Sequence, residues 1–85
     1  MVNKESRIRL SSGLQARQAT LFVQKANQFH SRLMLAHQEK EVNAKSVMGV
    51  MSLALRRDSY IRLTADGPDE EEALVALIAF MEQAS

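Results

Sequence analysis

The sequence predicts an α+β fold in which three helices cover one face of a four-stranded antiparallel sheet. Some segments alternate apolar and polar residues, as strands do, and others repeat apolar residues every three or four positions, as helices do. The third observation is size, because 85 residues with 46% hydrophobic content supply one core and leave no room for a second. We therefore expect a single domain over residues 1–85, with its elements in the order βαββαβα.

The first half of the chain supplies a strand, a helix and a hairpin. The first strand is predicted over residues 4–10, where Ser6, Ile8 and Leu10 face one side of the sheet. Strands over residues 32–36 and 40–43 are expected to form a hairpin, although the turn between them lacks glycine. A helix is predicted over residues 16–29, whose apolar residues form one stripe: Ala16, Ala19, Phe22, Val23, Ala26 and Phe29.

The second half supplies a short helix, a strand and a longer helix. Residues 46–53 hold more apolar side chains than so short a helix buries on one face, and Ser46 stands at its N-cap position. Residues 60–65 alternate and predict the fourth strand. The last helix is predicted over residues 69–83, with Asp69 as its cap and three glutamates at the positive end of its dipole. Its predicted buried face consists of Leu74, Leu77, Ile78 and Met81.

The composition excludes several classes of function. Without cysteine the chain has no disulfide, no thiol chemistry and no Cys-based zinc site, and His30 and His37 lack a third metal ligand at useful spacing. The net charge of +1 gives no general reason to expect contact with nucleic acid. The near-apolar stretch 73–81 is far shorter than the ~20 residues of a membrane span. We expect a cytoplasmic protein that holds no cofactor or metal. We also expect that it is not an enzyme, because no nucleophile–base pair is visible in the sequence.

Two segments stand out as candidates for phosphate chemistry. They are GLQAR at residues 13–17 and NAKSVMGVMSL at residues 43–53, and each leads into a predicted helix. The first turn of a helix exposes unpaired N–H groups and carries partial positive charge, which favours anions such as phosphate. Two such segments in one small domain are a physical reason to look for a phosphorylated protein.

These segments resemble the HPr family, the small phosphocarrier proteins of the sugar phosphotransferase system. The resemblance extends over essentially the whole chain and implies an open-faced β-sandwich. NAKSVMGVMSLA is similar to the regulatory serine region of HPr proteins from low-GC Gram-positive bacteria. GLQAR is similar to the family's active-site loop, whose pattern is Gly-Leu-His-Ala-Arg-Pro-Ala.

The chain departs from the family pattern at the active-site loop. Gln15 stands where the phosphocarriers have their acceptor histidine, and Gln18 stands where a proline usually follows the arginine. A glutamine amide is not a usable phosphoryl acceptor, because its nitrogen lone pair is delocalised into the carbonyl group. The missing proline should alter the helix start only locally, since proline there is favourable but dispensable. Phosphoryl relay through residue 15 is therefore expected to be absent.

The resemblance implies a regulatory protein of carbon catabolite repression. HPr kinase/phosphorylase would phosphorylate Ser46, and the phosphoprotein would then bind catabolite control protein A, a LacI-type repressor, as its corepressor. The partner-binding residues would be Gln15, Arg17, Val47, Met48 and Met51. If the two helix starts are neighbours, Arg17 can pair with the phosphate. The protein itself would not touch DNA or a membrane.

Other interpretations remain open from the sequence. One alternative is a working phosphocarrier, and another is a regulator of a metabolic enzyme that needs no phosphorylation. Exchange of the first strand between protomers would give a mixture of monomer and homodimer, as the resemblance also suggests. Arg56 and Arg57 lie in a loop where relatives tend to carry small residues, and the sequence assigns them no role.

Overall fold

The alternating and helical segments of the sequence form seven elements in the computed structural model, which describes residues 1–83. The strands are β1 (Val2–Arg7), β2 (Arg32–His37), β3 (Lys40–Asn43) and β4 (Tyr60–Asp66). The helices are α1 (Ala16–Ala26), α2 (Val47–Ser52) and α3 (Glu70–Glu82). The predicted order βαββαβα and the predicted fold class are confirmed.

The strands form one antiparallel sheet in the order β1-β4-β2-β3. Leu63 on β4 lies opposite Leu35 on β2, and Leu35 lies opposite Val42 on β3. Because strand side chains alternate between faces, this register gathers the apolar residues of the central strands on one side. On that side Ile61, Leu63 and Ala65 of β4 are buried. The helices cover this face, and the other face of the sheet stays open.

The core lies between the sheet and the apolar stripes of α1 and α3. Phe22 of α1 is fully buried, and its ring lies 6.0 Å from that of Phe80 on α3. The predicted buried face of α3 is confirmed, and Ala73 is fully buried beside it. In α1 the stripe is confirmed at Ala19, Phe22, Val23 and Ala26, whereas its first member Ala16 is exposed and its last member Phe29 lies beyond the end of the helix.

Two elements end earlier than their apolar patterns predict. β1 spans Val2–Arg7, yet Ile8 and Leu10 beyond it are buried as expected. The Ile8 N–H still donates to the carbonyl of Ser59, the residue next in the β1–β4 register, but the reciprocal bond is missing. The Ser59 N–H donates instead to the Arg56 carbonyl, and the regular ladder therefore ends at Arg7. Apolar alternation reports which side chains are buried, and hydrogen bonding decides where the strand ends.

The first helix ends at Ala26 and does not reach Phe29, because the chain turns more tightly there. The Asn27 side chain donates to the Val23 carbonyl, 2.9 Å away. The next two N–H groups bond to carbonyls three residues back, as in a tightening last turn. Phe29 is therefore half-buried beside the core and is not part of the helix.

The predicted hairpin is present, with a two-residue turn between β2 and β3. His37 lies opposite Lys40, so that Gln38 and Glu39 form the turn. Gln38 has a φ of 57°, in the left-handed region that glycine usually occupies in such turns. Because no glycine is present, Gln38 takes this left-handed backbone conformation, which is strained for a residue with a side chain.

Asp69 stands at the N-cap position of α3, but its side chain does not cap the helix. Its carboxylate accepts hydrogen bonds from the His30 N–H at 2.9 Å, the Ser31 N–H at 2.9 Å and the Ser31 hydroxyl at 2.5 Å. The predicted side-chain cap is therefore wrong. Asp69 instead ties the start of α3 to the loop between α1 and β2. The Ser31 hydroxyl, followed by the His30 N–H, lowers the pKa of Asp69 to about 2.

We predict that Asp69→Asn destabilises the protein near neutral pH and that the difference from wild type shrinks in acid. The native pKa of Asp69 lies below its usual value, so its contribution is complete above about pH 4 and is lost as the pH falls through about 2. Urea unfolding of both proteins across this range measures the difference. Glu72→Gln, which removes an exposed carboxylate from the same helical turn, is the control. A difference independent of pH would contradict the assignment.

Candidate functional site

Ser46 caps the short helix α2 as the sequence predicts. Its backbone is extended, and its hydroxyl oxygen accepts a hydrogen bond from the Gly49 N–H at 3.1 Å. This bond satisfies one of the unpaired N–H groups in the first turn of α2. The residue is half-buried, and its oxygen lies at the positive end of the helix.

The segment before Ser46 is fastened to the C-terminal end of α1. The Lys45 ammonium donates to the Phe29 carbonyl at 2.7 Å, and the Asn27 side chain donates to the Lys45 carbonyl at 3.3 Å. Asn43 bonds to the same segment through its side chain, which accepts from the Lys45 N–H at 2.8 Å. Sequence reasoning missed Asn27 and Lys45, because their partners lie 16 to 18 residues away along the chain.

The apolar residues of α2 divide between the core and the surface. Val50 is fully buried and Val47 is half-buried against the core, whereas Met48 is 83% exposed and Met51 is 44% exposed. The prediction that this segment cannot bury all its apolar side chains is confirmed. Leu21 on α1, at 41% exposure, is a further exposed apolar residue that the sequence did not single out. It lies one helical turn beyond Arg17, on the same face of α1.

The loop that carries Gln15 is held by a close contact between two backbones. Gly13 has a φ of 69°, and a side chain there would collide with the Leu55 carbonyl and with Arg56. Next to it, the Leu14 N–H donates to the Leu55 carbonyl at 3.2 Å. Only glycine fits at this position. The loop before α1 is thereby fixed to the loop after α2.

Gln15 stands at the N-cap position of α1 without using its side chain there. Its backbone carbonyl accepts from the Ala19 N–H at 3.0 Å, and its exposed side chain makes no capping bond. The helix begins at Ala16 although Gln18 replaces the family's proline, so the expected tolerance of that change is confirmed. The side chain of residue 15 is free to vary without loss of the helix start.

Helices α1 and α2 lie antiparallel, so their starts are not neighbours. Gln15 and Ala16 line a depression of about 270 Å³ with Met51 and Ala54, at the C-terminal end of α2. Asn27, at the other end of α1, contacts the residue before Ser46. Since α1 has 11 residues and is about 16 Å long, Arg17 and Ser46 lie near its opposite ends. The expected neighbourhood of the two helix starts is wrong, and with it the expected pairing of Arg17 with a phosphate on Ser46.

The surface around Gln15 carries unbalanced positive charge. Within residues 1–83 the ion pairs join the N-terminal ammonium to Asp66 and Glu70, and Arg9 to Asp58 at 3.1 Å. Arg17, Arg56 and Arg57 are exposed and belong to none of these pairs. The first turn of α1 contains no acidic residue. This end of the helix pair is therefore suited to an acidic partner.

The described residues contain neither a metal-binding cluster nor a membrane span. No group of three histidine or carboxylate side chains among them is arranged to hold a metal ion. No helix within residues 1–83 is long and apolar enough to cross a bilayer. The His37 ring nitrogen Nδ1 lies 2.7 Å from the Tyr60 carbonyl and donates to it. What the site offers is a hydroxyl at a helix tip and exposed side chains for contact with another protein.

Comparisons with known proteins give one consistent result. A family model described as the PTS HPr component phosphorylation site matches residues 2–83. The HPr-like protein Crh of Halalkalibacterium halodurans is 53% identical over 83 residues, covering 98% of this chain and 99% of that protein. The HPr-like protein Crh of Bacillus subtilis is 49% identical over 83 residues, covering 98% of each.

Solved structures show the same likeness. The phosphocarrier protein HPr of Bacillus anthracis superposes with a TM-score of 0.93 at 51% identity, over 94% of this chain and 95% of that one. A crystal structure of Crh from Bacillus subtilis, described as a dimer with a swapping domain, superposes with a TM-score of 0.79 at 48% identity, over 100% and 98% of the two chains. Close relatives of this chain thus carry two names, phosphocarrier and HPr-like protein.

Proposed function

The chain belongs to the HPr family, and we propose that within it the protein is a regulator of carbon catabolite repression and not a phosphocarrier. In this proposal HPr kinase/phosphorylase phosphorylates Ser46 in the cytoplasm. The phosphoprotein then binds catabolite control protein A as a corepressor and does not itself contact DNA. One observation carries the proposal: residue 15 is a glutamine, while Ser46 caps a short helix beside exposed methionines.

Relay of phosphoryl groups requires a nucleophile at residue 15. The neutral imidazole of a histidine has a nitrogen lone pair that attacks phosphorus, and the amide of Gln15 has none available. The backbone of this loop is ordered around the Gly13–Leu55 contact, and α1 begins at Ala16. The position therefore keeps its place in the fold and lacks only the reactive atom.

Phosphorylation of Ser46 adds charge at a place that tolerates it. A phosphate brings about −1.5 to −2 charges and strong acceptor oxygens. The Ser46 oxygen already faces the Gly49 N–H, at the positive end of α2, where an exposed anion contributes up to ~1 kcal/mol. The modification therefore needs no refolding. Its effect is a new charged group on the surface.

A partner that reads this surface gains two contacts at once. A charge-assisted hydrogen bond to the phosphate is worth ~1.5–3 kcal/mol, which corresponds to roughly a 10- to 100-fold preference for the phosphorylated form. Met48 and Met51 supply exposed apolar area beside it. Methionine side chains are flexible and adapt to different partners, so a kinase and a repressor can share one surface.

We expect Ser46→Ala to abolish phosphorylation by HPr kinase/phosphorylase with ATP, and Ser52→Ala to leave it intact. Ser52 is an exposed hydroxyl at the other end of α2, bonded to the Gly49 carbonyl. Mass spectrometry measures the incorporation. Loss of the cap in Ser46→Ala costs about 1 kcal/mol, so circular dichroism must show that the variant is folded.

The phosphoprotein is expected to bind catabolite control protein A roughly 10- to 100-fold more tightly than the unmodified chain. Ser46→Asp should restore only part of this affinity, because a carboxylate has one charge and fewer acceptor oxygens than a phosphate. Isothermal titration calorimetry measures these three affinities and that of Ser46→Ala. Equal binding by Ser46→Ala and the phosphoprotein would show that the phosphate is not what the repressor reads.

Incubation with phosphoenolpyruvate and enzyme I of the phosphotransferase system is expected to leave the wild-type chain unmodified. The matched variant Gln15→His should acquire an acid-labile phosphoryl group, since it restores the imidazole at an otherwise preserved helix start. An acid-labile adduct on the wild-type chain would make it a phosphocarrier after all.

We further expect a mixture of monomer and homodimer formed by exchange of β1. β1 lies at the edge of the sheet, pairs with β4 and is joined to α1 by residues 8–15. A strand held in this way can pair identically with the β4 of a second copy. Analytical ultracentrifugation over a concentration series measures the dimer. A single monomeric species at every concentration would contradict the exchange.

A further inference from the structure

We propose that Arg56 and Arg57, in the loop after α2, form the basic end of the surface on which the Ser46-phosphorylated chain docks, and that they bind acidic side chains of its protein partner. This inference rests on the proposed function and adds the chemistry of the partner. Both arginines are exposed, and neither belongs to an ion pair within the part of the chain described.

The backbone that carries the two arginines is fixed in place. Leu55, just before them, is fully buried, and its carbonyl accepts from the Leu14 N–H at 3.2 Å. The Arg56 N–H donates to the Ser59 hydroxyl at 3.0 Å, and the Ser59 N–H donates to the Arg56 carbonyl at 3.1 Å. The loop is therefore a closed turn anchored beside the start of α1, and not a loose connection.

The ends of this loop are strained in a way that commits it to one shape. Ala54 has a φ of 51° and Asp58 a φ of 71°, both in the left-handed region. Such conformations persist only where surrounding contacts impose them. The Asp58 N–H donates to the Ile8 carbonyl at 2.7 Å, and the Asp58 carboxylate pairs with Arg9. The Asp58 carboxylate therefore pairs with Arg9, outside the loop, and does not neutralise Arg56 or Arg57.

The arginines border an apolar surface that continues onto α2. A depression is lined by Leu14, Ala16, Met51 and Ala54, and Ala54 lies two residues before Arg56 along the chain. An apolar floor with a charged rim is the usual composition of a protein–protein interface. Nucleic acid would instead favour basic residues spread along one face, and this chain has a net charge of only +1. The surface favours a protein partner.

Once Ser46 is phosphorylated, the two ends of this surface carry charges of opposite sign, negative at Ser46 and positive at the arginines. Ser46 precedes α2 and Ala54 follows it, and a helix of six residues is about 9 Å long. A phosphate on Ser46 and the two arginines would therefore lie about 10–15 Å apart, with Met48 and Met51 between them on one helix face. The matching partner carries a cationic site that binds the phosphate. It also carries carboxylates for the two arginines, about one length of α2 away from that cationic site. Docking in the reversed orientation would oppose like charges at both ends.

The test is the rate at which the Ser46-phosphorylated chain associates with catabolite control protein A, measured by stopped-flow fluorescence from about 0.05 M to about 0.5 M salt. The variant is Arg56→Glu with Arg57→Glu. The matched control is Arg32→Glu with Arg62→Glu, which changes the net charge equally on exposed strand positions of the open sheet face. Circular dichroism and the thermal midpoint confirm that each variant is folded.

We expect the loop variant to associate roughly tenfold more slowly at low salt and to lose most of the salt dependence, because steering acts through the charges that were reversed. The control should stay within about twofold of wild type. Equal slowing in both variants, or none in the loop variant, overturns the inference and leaves the proposed function standing. Failure of the wild-type phosphoprotein to bind the repressor overturns both. Binding of a fluorescent DNA duplex that the loop variant alone abolishes would assign the arginines to nucleic acid and also overturn the inference.

Discussion

The antiparallel packing of α1 and α2 determines where every candidate functional group of this protein lies. At one end, Asn27 and Lys45 join the C-terminal end of α1 to the segment before Ser46. At the other end, the contact of Gly13 and Leu14 with Leu55 joins the start of α1 to the loop after α2. Because both ends are fastened, the helix pair cannot slide. Ser46 and Gln15 are held at opposite ends of one surface, and a partner that touches both must span the pair.

The exposed methionines follow from the shortness of α2. Six residues make fewer than two turns, and only one stripe of such a helix faces the core. Val50 occupies that stripe, while Met48 and Met51 point away from it. A sequence selected only for stability would place polar residues at these two positions, since exposed apolar area contributes nothing to folding. Their exposure leaves apolar area on the outer face of α2, which the proposed partner would cover.

The sequence predicted those features that depend on neighbouring residues. Apolar spacing located all seven elements, and the capping of α2 by Ser46 involves residues only three apart. Contacts between residues far apart in the sequence were not predicted. Asp69 has the side chain of a helix cap, but Ser31, 38 residues away, binds its carboxylate instead. The antiparallel arrangement of α1 and α2 depends on contacts such as that of Asn27 with Lys45, which no local pattern reveals.

The two candidate positions of the fold, residue 15 and Ser46, are held by separate sets of hydrogen bonds. The side chain of Gln15 makes no capping bond, and the start of α1 relies on the backbone carbonyl of that residue. Exchanging the side chain there changes the chemistry of the loop without changing the helix. Ser46 is held by a separate set of bonds at the far end of α1 and does not depend on residue 15. A chain of this fold can therefore lack a phosphoryl acceptor in its loop and still present an intact hydroxyl at the tip of α2. The surface between the two positions remains available to a partner in either case.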